Sequence, residues 1–297
     1  MKLPNFFCLG APKSGTTTLY DILIQHQEVF LPSFKEPHFF DSYESWNKGV
    51  DWYQKTYFAK AKHSIIGDFT PTYLSHPFVP ERIKKIIGDN VKFVIILRNP
   101  TDRAYSHYLH SCRDQHEQLP FLEALKEEKH RLVDYQQHNN ELAIMRFSYA
   151  DQGRYATHLK RFFTFFDRKQ FYITTFDDFV SDQEKITEQI CDFLGLNKQD
   201  GMNYNLQSNQ SSTARFVFLK KVLKKPSLLK KVAKYIIPSF SYRQRIRNRI
   251  QALNNQAIKK KPLTKTERIY CYTKFFKQEV EELEDLLSIN LSHWKYD

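Results

Sequence analysis

The sequence predicts an α/β fold of three layers, with a central parallel sheet flanked by helices. Three observations point to it. A short apolar strand at 5–9 runs into a glycine-bearing turn and then a helix. A continuous apolar, largely β-branched run stands at 91–97. Helical stretches then alternate with strands through much of the 297 residues.

The first strand is Asn5-Phe6-Phe7-Cys8-Leu9, the turn is Gly10-Ala11-Pro12-Lys13-Ser14-Gly15, and the helix spans 16–25, with Leu19, Ile22 and Leu23 at helical spacing. The strand at 91–97 (Val91-Lys92-Phe93-Val94-Ile95-Ile96-Leu97) has the composition of a parallel strand covered on both faces. It ends at Arg98-Asn99-Pro100, after which a helix carries Arg103, Tyr105, Ser106 and Tyr108. A third strand falls at 170–175, and helices fall at 80–87, 121–135, 155–166 and 183–194. Residues 266–287 read as one amphipathic helix. No repeat or flexible linker appears, so a single domain over 1–297 is expected, with a basic helical segment at about 201–266.

Hydrophobic residues make up 41% of the chain, enough for a sizeable core, and only 8 residues are glycine. The formal net charge is +12, and the excess is local: 16 Lys or Arg lie in 201–266 without one acidic residue. Phe216, Phe218, Leu219 and Leu223 alternate with Lys220, Lys221, Lys224 and Lys225 there. Such a field attracts an anionic acceptor or an anionic membrane surface. Cys8, Cys112, Cys191 and Cys271 are too far apart in sequence to make a metal-ligand motif or a disulfide framework. With no leader pattern and no membrane-length apolar run, the expectation is a cytoplasmic protein, at most peripheral at the inner membrane face.

Gly10-x-x-x-x-Gly15 before a helix supplies backbone N–H groups for a phosphate, and Thr16 and Thr17 add hydroxyls. A loop for ATP with Mg²⁺ places Lys directly after the second glycine. Here Thr16 follows Gly15, the lysine is Lys13, and the strand at 91–97 leads into Arg98 rather than an acidic metal ligand. The loop therefore reads as a P-loop-type phosphate cradle that needs no metal. Two rival classes remain: a P-loop kinase or nucleoside triphosphatase, and a non-catalytic protein that binds nucleic acid or membrane through 201–266.

Pro12-Lys13-Ser14-Gly15-Thr16-Thr17 resembles the 5'-phosphosulfate loop of sulfotransferases that use 3'-phosphoadenosine-5'-phosphosulfate (PAPS). Leu97-Arg98-Asn99-Pro100 with Arg103 and Ser106 resembles their 3'-phosphate motif. Lys35-Glu36-Pro37-His38-Phe39-Phe40-Asp41, Thr70-Pro71-Thr72-Tyr73, Gly153-Arg154-Tyr155 and Leu291-Ser292-His293-Trp294 are similar to the heparan-sulfate-type branch. The resemblance implies PAPS as cofactor and transfer of a sulfuryl group to a hydroxyl or amine, with a saccharide favoured over a lipid or small-molecule acceptor, and no nucleic-acid partner. By the same resemblance Lys13 holds the bridging region of the phosphosulfate, and Ser14, Gly15, Thr16 and Thr17 cradle the 5'-phosphate. Arg98 and Ser106 bind the 3'-phosphate, Arg215 closes a late cofactor loop, and Glu36 is the base, with His38 as its assistant or substitute. Trp52, Tyr53 and Tyr73 are candidates either for lining the acceptor cleft or for the aromatic core. The chain departs from several glycan sulfotransferases at Phe69, where they carry a lysine.

Overall fold

The computed structural model describes residues 2–206, 212–214, 255–257 and 261–296. Its backbone divides into two compact units, Met1–Ser208 with Leu263–Asp297, and Asn209–Pro262. In the second unit the described residues form a two-stranded antiparallel pair, β6 (Ser212–Ala214) with β7 (Asn255–Ala257). Arg215 and nearly all of the basic stretch lie outside the described residues.

The first unit is built on a five-stranded, all-parallel sheet: β1 (Phe6–Gly10), β2 (Val29–Phe30), β3 (Ile65–Phe69), β4 (Lys92–Leu97) and β5 (Phe171–Thr175), in the order β2-β3-β1-β4-β5. Alternation along the strands gives it two cores. Phe7 and Leu9 of β1 and Phe93, Ile95 and Leu97 of β4 bury into one; Phe6, Cys8, Val94 and Ile96 bury into the other. Both faces are thus covered, which explains why β4 reads as an unbroken apolar run.

The chain leaves β1 toward β3 on one side and reaches β4 on the other. The strand order reverses at β1/β4, and a crevice opens at their carboxyl ends. Two helices start there: α1 (Thr16–Leu23) after β1 and α5 (Pro100–Arg113) after β4. Asn99 caps α5 by accepting from Thr101 N at 3.0 Å and Asp102 N at 3.4 Å, with Pro100 at the first helical position.

Between them lie α2 (Tyr43–Asn47), α3 (Gly49–Tyr53) and α4 (Val79–Ile87). Beyond α5 come α6 (Phe121–Gln137), α7 (Glu141–Phe147), α8 (Tyr155–Phe163), α9 (Phe176–Ser181) and α10 (Gln183–Leu194). The stretch expected as one helix at 266–287 is divided into α11 (Lys265–Cys271), a π turn (Tyr272–Phe276) and α12 (Lys277–Leu287). The extra residue in the turn lets Cys271, Tyr272 and Phe276 all reach the core. Among the described residues no helix is long and apolar enough to cross a membrane.

Candidate active site

The loop from β1 to α1 folds tightly because glycine stands where the backbone demands it. Gly10 has φ 150°, and a Cβ there would sit 2.7 Å from Pro71 O; Gly15, at φ 84°, is the N-cap of α1. Gly15 offers no side chain to cap the helix, so the first N–H groups of α1, from Thr16 onward, face the loop without intrahelical acceptors. Lys13 itself has φ 71°. Its ammonium is pushed down to about 8, by burial first and then by the charge of Arg113, with Glu36 and Asp114 pulling the other way.

Arg98, at the end of β4, reaches back across the crevice. Its Nη1 donates to Lys13 O at 3.0 Å, and its guanidinium lies 4.6 Å from the Phe176 ring centroid. The structure therefore joins Arg98 directly to the first loop. The two distant tripeptide and tetrapeptide motifs converge on the same corner: Tyr155 OH donates to Arg98 O at 2.9 Å, and Asn99 Nδ2 donates to Trp294 O at 3.2 Å. Gly153 is small for the same reason, since a Cβ would meet the Phe276 ring at 3.0 Å and Pro100 at 3.2 Å.

Ser106 is half-buried, six residues into α5, roughly 9 Å along the helix axis from Pro100. Arg103 is turned away. It is fully buried and donates Nη1–H to Gln152 Oε1 at 3.3 Å and Nη2–H to Tyr149 O, so it braces the core under α5. His107 is buried as well, its ring 5.2 Å from that of Tyr149, and burial holds it well below the usual imidazole range, uncharged.

The segment 35–41 supplies the second half of the site. Lys35 Nζ donates to Thr17 Oγ1 at 2.7 Å and lies 3.7 Å from Glu36 Oε1, tying the segment to α1. Glu36 and His38 both adopt left-handed backbone, φ 62° and 49°, on either side of Pro37. That turn brings the side chains together. His38 Nε2 is 3.6 Å from Glu36 Oε2, and its Nδ1 is 3.0 Å from Asp41 Oδ2. Asp41 is wholly buried and also accepts from Thr72 Oγ1. The result is a carboxylate–imidazole–carboxylate relay ending on the partly exposed Glu36. Burial works against charge on His38, yet the hydrogen bonds to Asp41 and Glu36 push it up to about 10, so the ring is an imidazolium at neutral pH. Burial would raise the Glu36 carboxyl, but His38, Lys35 and Lys13 bring it below the usual range.

What fixes this turn lies behind it. Tyr73 OH accepts from Phe39 N at 3.0 Å and Phe40 N at 3.2 Å, and donates to Asp68 Oδ2 at 3.2 Å. Asp68, fully buried on β3, also accepts from Tyr53 OH and Thr70 Oγ1, each at 2.6 Å. Tyr53 and Tyr73 are therefore core residues, not cleft lining, and Trp52 stacks over Lys48 at 4.9 Å. Phe69 packs edge-on against Phe6 and Tyr20 in the second core. Lys35, Asp41, Asp68 and Thr72 escaped sequence reasoning as functional residues. Only the Asp three residues after His38 was a local signal. Replacing Tyr73 by Phe is expected to cost about 1–3 kcal/mol in a urea melt, because two buried amides lose their acceptor, and to lower turnover as the turn relaxes. An unchanged melting curve would mean that water replaces the phenol.

No group of three or more His, Cys, Asp or Glu able to hold a metal occurs among the described residues. The geometry instead offers an uncapped helix N-terminus at α1, three cations (Lys13, Lys35, Arg98), and a carboxylate relay close enough for its charge to act on Lys13.

Comparison with known proteins identifies the fold and the family. A sulfotransferase from Alicyclobacillus acidocaldarius superposes with a TM-score of 0.67 at 25% identity, covering 99% of this chain and 100% of that one. Human heparan sulfate glucosamine 3-O-sulfotransferase 5 is 29% identical over 216 residues, 70% of this chain and 58% of its own length. The mouse bifunctional heparan sulfate N-deacetylase/N-sulfotransferase 4 is 28% identical over 208 residues, 65% of this chain and 22% of its own. The chain thus spans little more than half of the first relative and under a quarter of the second. Residues 3–225 match the sulfotransferase domain family, and it is to that family that the chain belongs.

Proposed function

We propose that the protein transfers a sulfuryl group from PAPS to a hydroxyl or amine of a saccharide. The observation that carries this reading is the meeting of Lys13, at the mouth of α1, with the Glu36–His38–Asp41 relay through the Lys35–Thr17 bond. The cradle fits a nucleotide phosphosulfate: a helix N-terminus without a side-chain cap, Thr16 and Thr17 hydroxyls, and glycines where a side chain would meet backbone or ring atoms. When bound, the phosphosulfate supplies an electrophilic sulfur with adenosine 3',5'-bisphosphate as leaving group.

The chain's own residues do the rest. The Lys13 ammonium and the Thr16 and Thr17 amides hold the bridging oxygen and 5'-phosphate, where negative charge builds. Ser14 and Gly15 complete the cradle. Arg98 and Ser106, from the next strand and helix, hold the 3'-phosphate. Glu36 takes the acceptor's proton. His38, charged and anchored by Asp41, orients Glu36 and keeps it ionised, ready to accept that proton. Arg215 is kept as the candidate for the late cofactor loop. The saccharide acceptor is supported by relatives named as heparan sulfate sulfotransferases. A cytoplasmic site of action, peripheral at the inner membrane face, goes with the basic stretch.

Incubation with radiolabelled PAPS and a panel of glycans, lipids and phenols tests the reading: label is expected on a saccharide. Exclusive labelling of a lipid or phenol would replace the acceptor class, and labelling of nothing while ATP is hydrolysed would replace the reaction.

The bond from Arg98 to Lys13 O makes a further prediction specific. Arg98→Ala should weaken adenosine 3',5'-bisphosphate and adenosine 5'-phosphate together, because it loosens the 5'-loop as well. Ser106→Ala should weaken only the bisphosphate, by about fivefold to tenfold for one hydrogen bond of roughly 1 kcal/mol. Calorimetry with both ligands separates the cases, and a loss on the monophosphate in Ser106→Ala would contradict the assignment.

A further inference from the structure

The transfer scheme leaves one cation beside the relay without a task. Arg82 stands on α4, and its Nη1 donates to Phe40 O at 2.6 Å, the carbonyl directly before Asp41. Its guanidinium lies 4.8 Å from the Trp46 ring centroid and 5.6 Å from that of Phe78. Stacking on two rings fixes the plane of the fork and leaves its edge for hydrogen bonding. A guanidinium carries five N–H donors, and Phe40 O occupies one. Among the described residues Arg82 forms no ion pair, although the charges of Glu141, Asp41 and Glu81 act on it from a distance. Two of these are already engaged: the Glu141 carboxylate accepts from Tyr43 N at 2.9 Å, and Asp41 is held by His38 and Thr72.

The surroundings are those of a binding face. Phe78 is 57% exposed and Tyr43, on the same helix as Trp46, 64% exposed, whereas the other aromatics of this region, Phe39, Phe40, Tyr53 and Tyr73, are sunk in the core. A half-buried guanidinium with no ion-pair partner, stacked on the partly buried Trp46 and beside the exposed Phe78, suits a planar oxyanion carried on a sugar. The fork binds a carboxylate or sulfate in bidentate fashion while apolar ring faces of the sugar lie on the aromatics.

We infer that Arg82, held by Phe40 O and lying over the Trp46 and Phe78 rings, is a specificity-determining residue of the acceptor site and reads a carboxylate or sulfate on the sugar that neighbours the reacting group. This rests on the saccharide reading above. The test measures initial rates for the parent, Arg82→Gln and Arg82→Lys. The acceptors are a uronate-containing oligosaccharide, its carboxyl-reduced form, and sulfated and desulfated versions of each, with bisphosphate affinity as the check on folding. In Arg82→Gln, kcat/KM should fall about 10- to 100-fold, the range of one charge-assisted pair, through KM and on the anionic acceptors alone. Arg82→Lys should recover the charge but not the fork, and so only part of the loss. A loss confined to carboxylate-bearing or to sulfate-bearing acceptors identifies the group read. Equal loss on neutral and anionic acceptors, or no loss, overturns the inference and leaves the saccharide reading standing. Labelling of no saccharide by the parent overturns both.

Discussion

Glu36→Gln is expected to lower turnover at least about 10²-fold while adenosine 3',5'-bisphosphate affinity stays nearly unchanged. The substitution keeps volume and a hydrogen-bonding oxygen but cannot take a proton. Its neighbours make the expectation sharp. Glu36 is the more exposed of the two carboxylates in the relay, whose other end, Asp41, is buried, so Glu36 is the carboxylate that solvent and acceptor reach. His38 is charged, with Nδ1 on Asp41 at 3.0 Å and Nε2 3.6 Å from Glu36, so both ring nitrogens are protonated and it has no lone pair with which to replace the lost base. His38→Ala should therefore also slow turnover, through misplacement of Glu36. Single-turnover rates with saturating donor measure both. A Glu36→Gln enzyme that turns over at the parent rate would remove Glu36 from the base role and send the search to another group.

Lys13→Met is expected to cost about 10²–10³-fold in turnover, the usual scale for removing one donor from a developing oxyanion. A pH dependence belongs to the same residue. Its ammonium titrates near 8 because burial and Arg113 oppose the charge, and only the charged form holds an anion. Affinity for the bisphosphate should be full below about pH 8 and should fall as pH rises through it. Phosphate ionisation, with a second pKa of about 6, is by then complete and adds no slope. Since the bound anion raises the lysine's pKa, the complex should take up a proton near pH 8. Calorimetry in buffers of different ionisation enthalpy reads that uptake. Lys13→Arg, charged throughout, should abolish it. Binding without proton uptake between pH 7 and 9 would place the titrating lysine elsewhere.

Much of this was legible in the chain because it is local. β4 announces itself through five consecutive apolar residues, and the two corners proposed to bind anions through short-range spacing at Gly10–Gly15 and Leu97–Pro100. β3 was not legible, because two of its five residues, Gly67 and Asp68, are poor strand formers placed for tertiary reasons. A Cβ at Gly67 would come within 2.3 Å of the Phe6 ring, and Asp68 is buried to receive three hydroxyls. β2, at two residues, is too short to carry a pattern. Arg103 shows the limit on the site. Helical spacing places it one turn from Ser106, but only packing reveals that it points into the core with Ala104 and His107 while Ser106 stays half-exposed. The relay is a mixed case: Glu36, His38 and Asp41 are close in sequence, yet what bends them together is Tyr73 and Asp68, far onward in the chain.

The account's central claim is that the β1/β4 crevice grips a nucleotide 3',5'-bisphosphate through protein cations and helix amides, with no metal ligand at the end of β4. Calorimetric titration in the presence of a chelator puts it to the test. Adenosine 3',5'-bisphosphate should bind with an affinity that added Mg²⁺ does not improve, and more tightly than ADP. Tight binding of ATP with Mg²⁺, together with no binding of the bisphosphate, would contradict it.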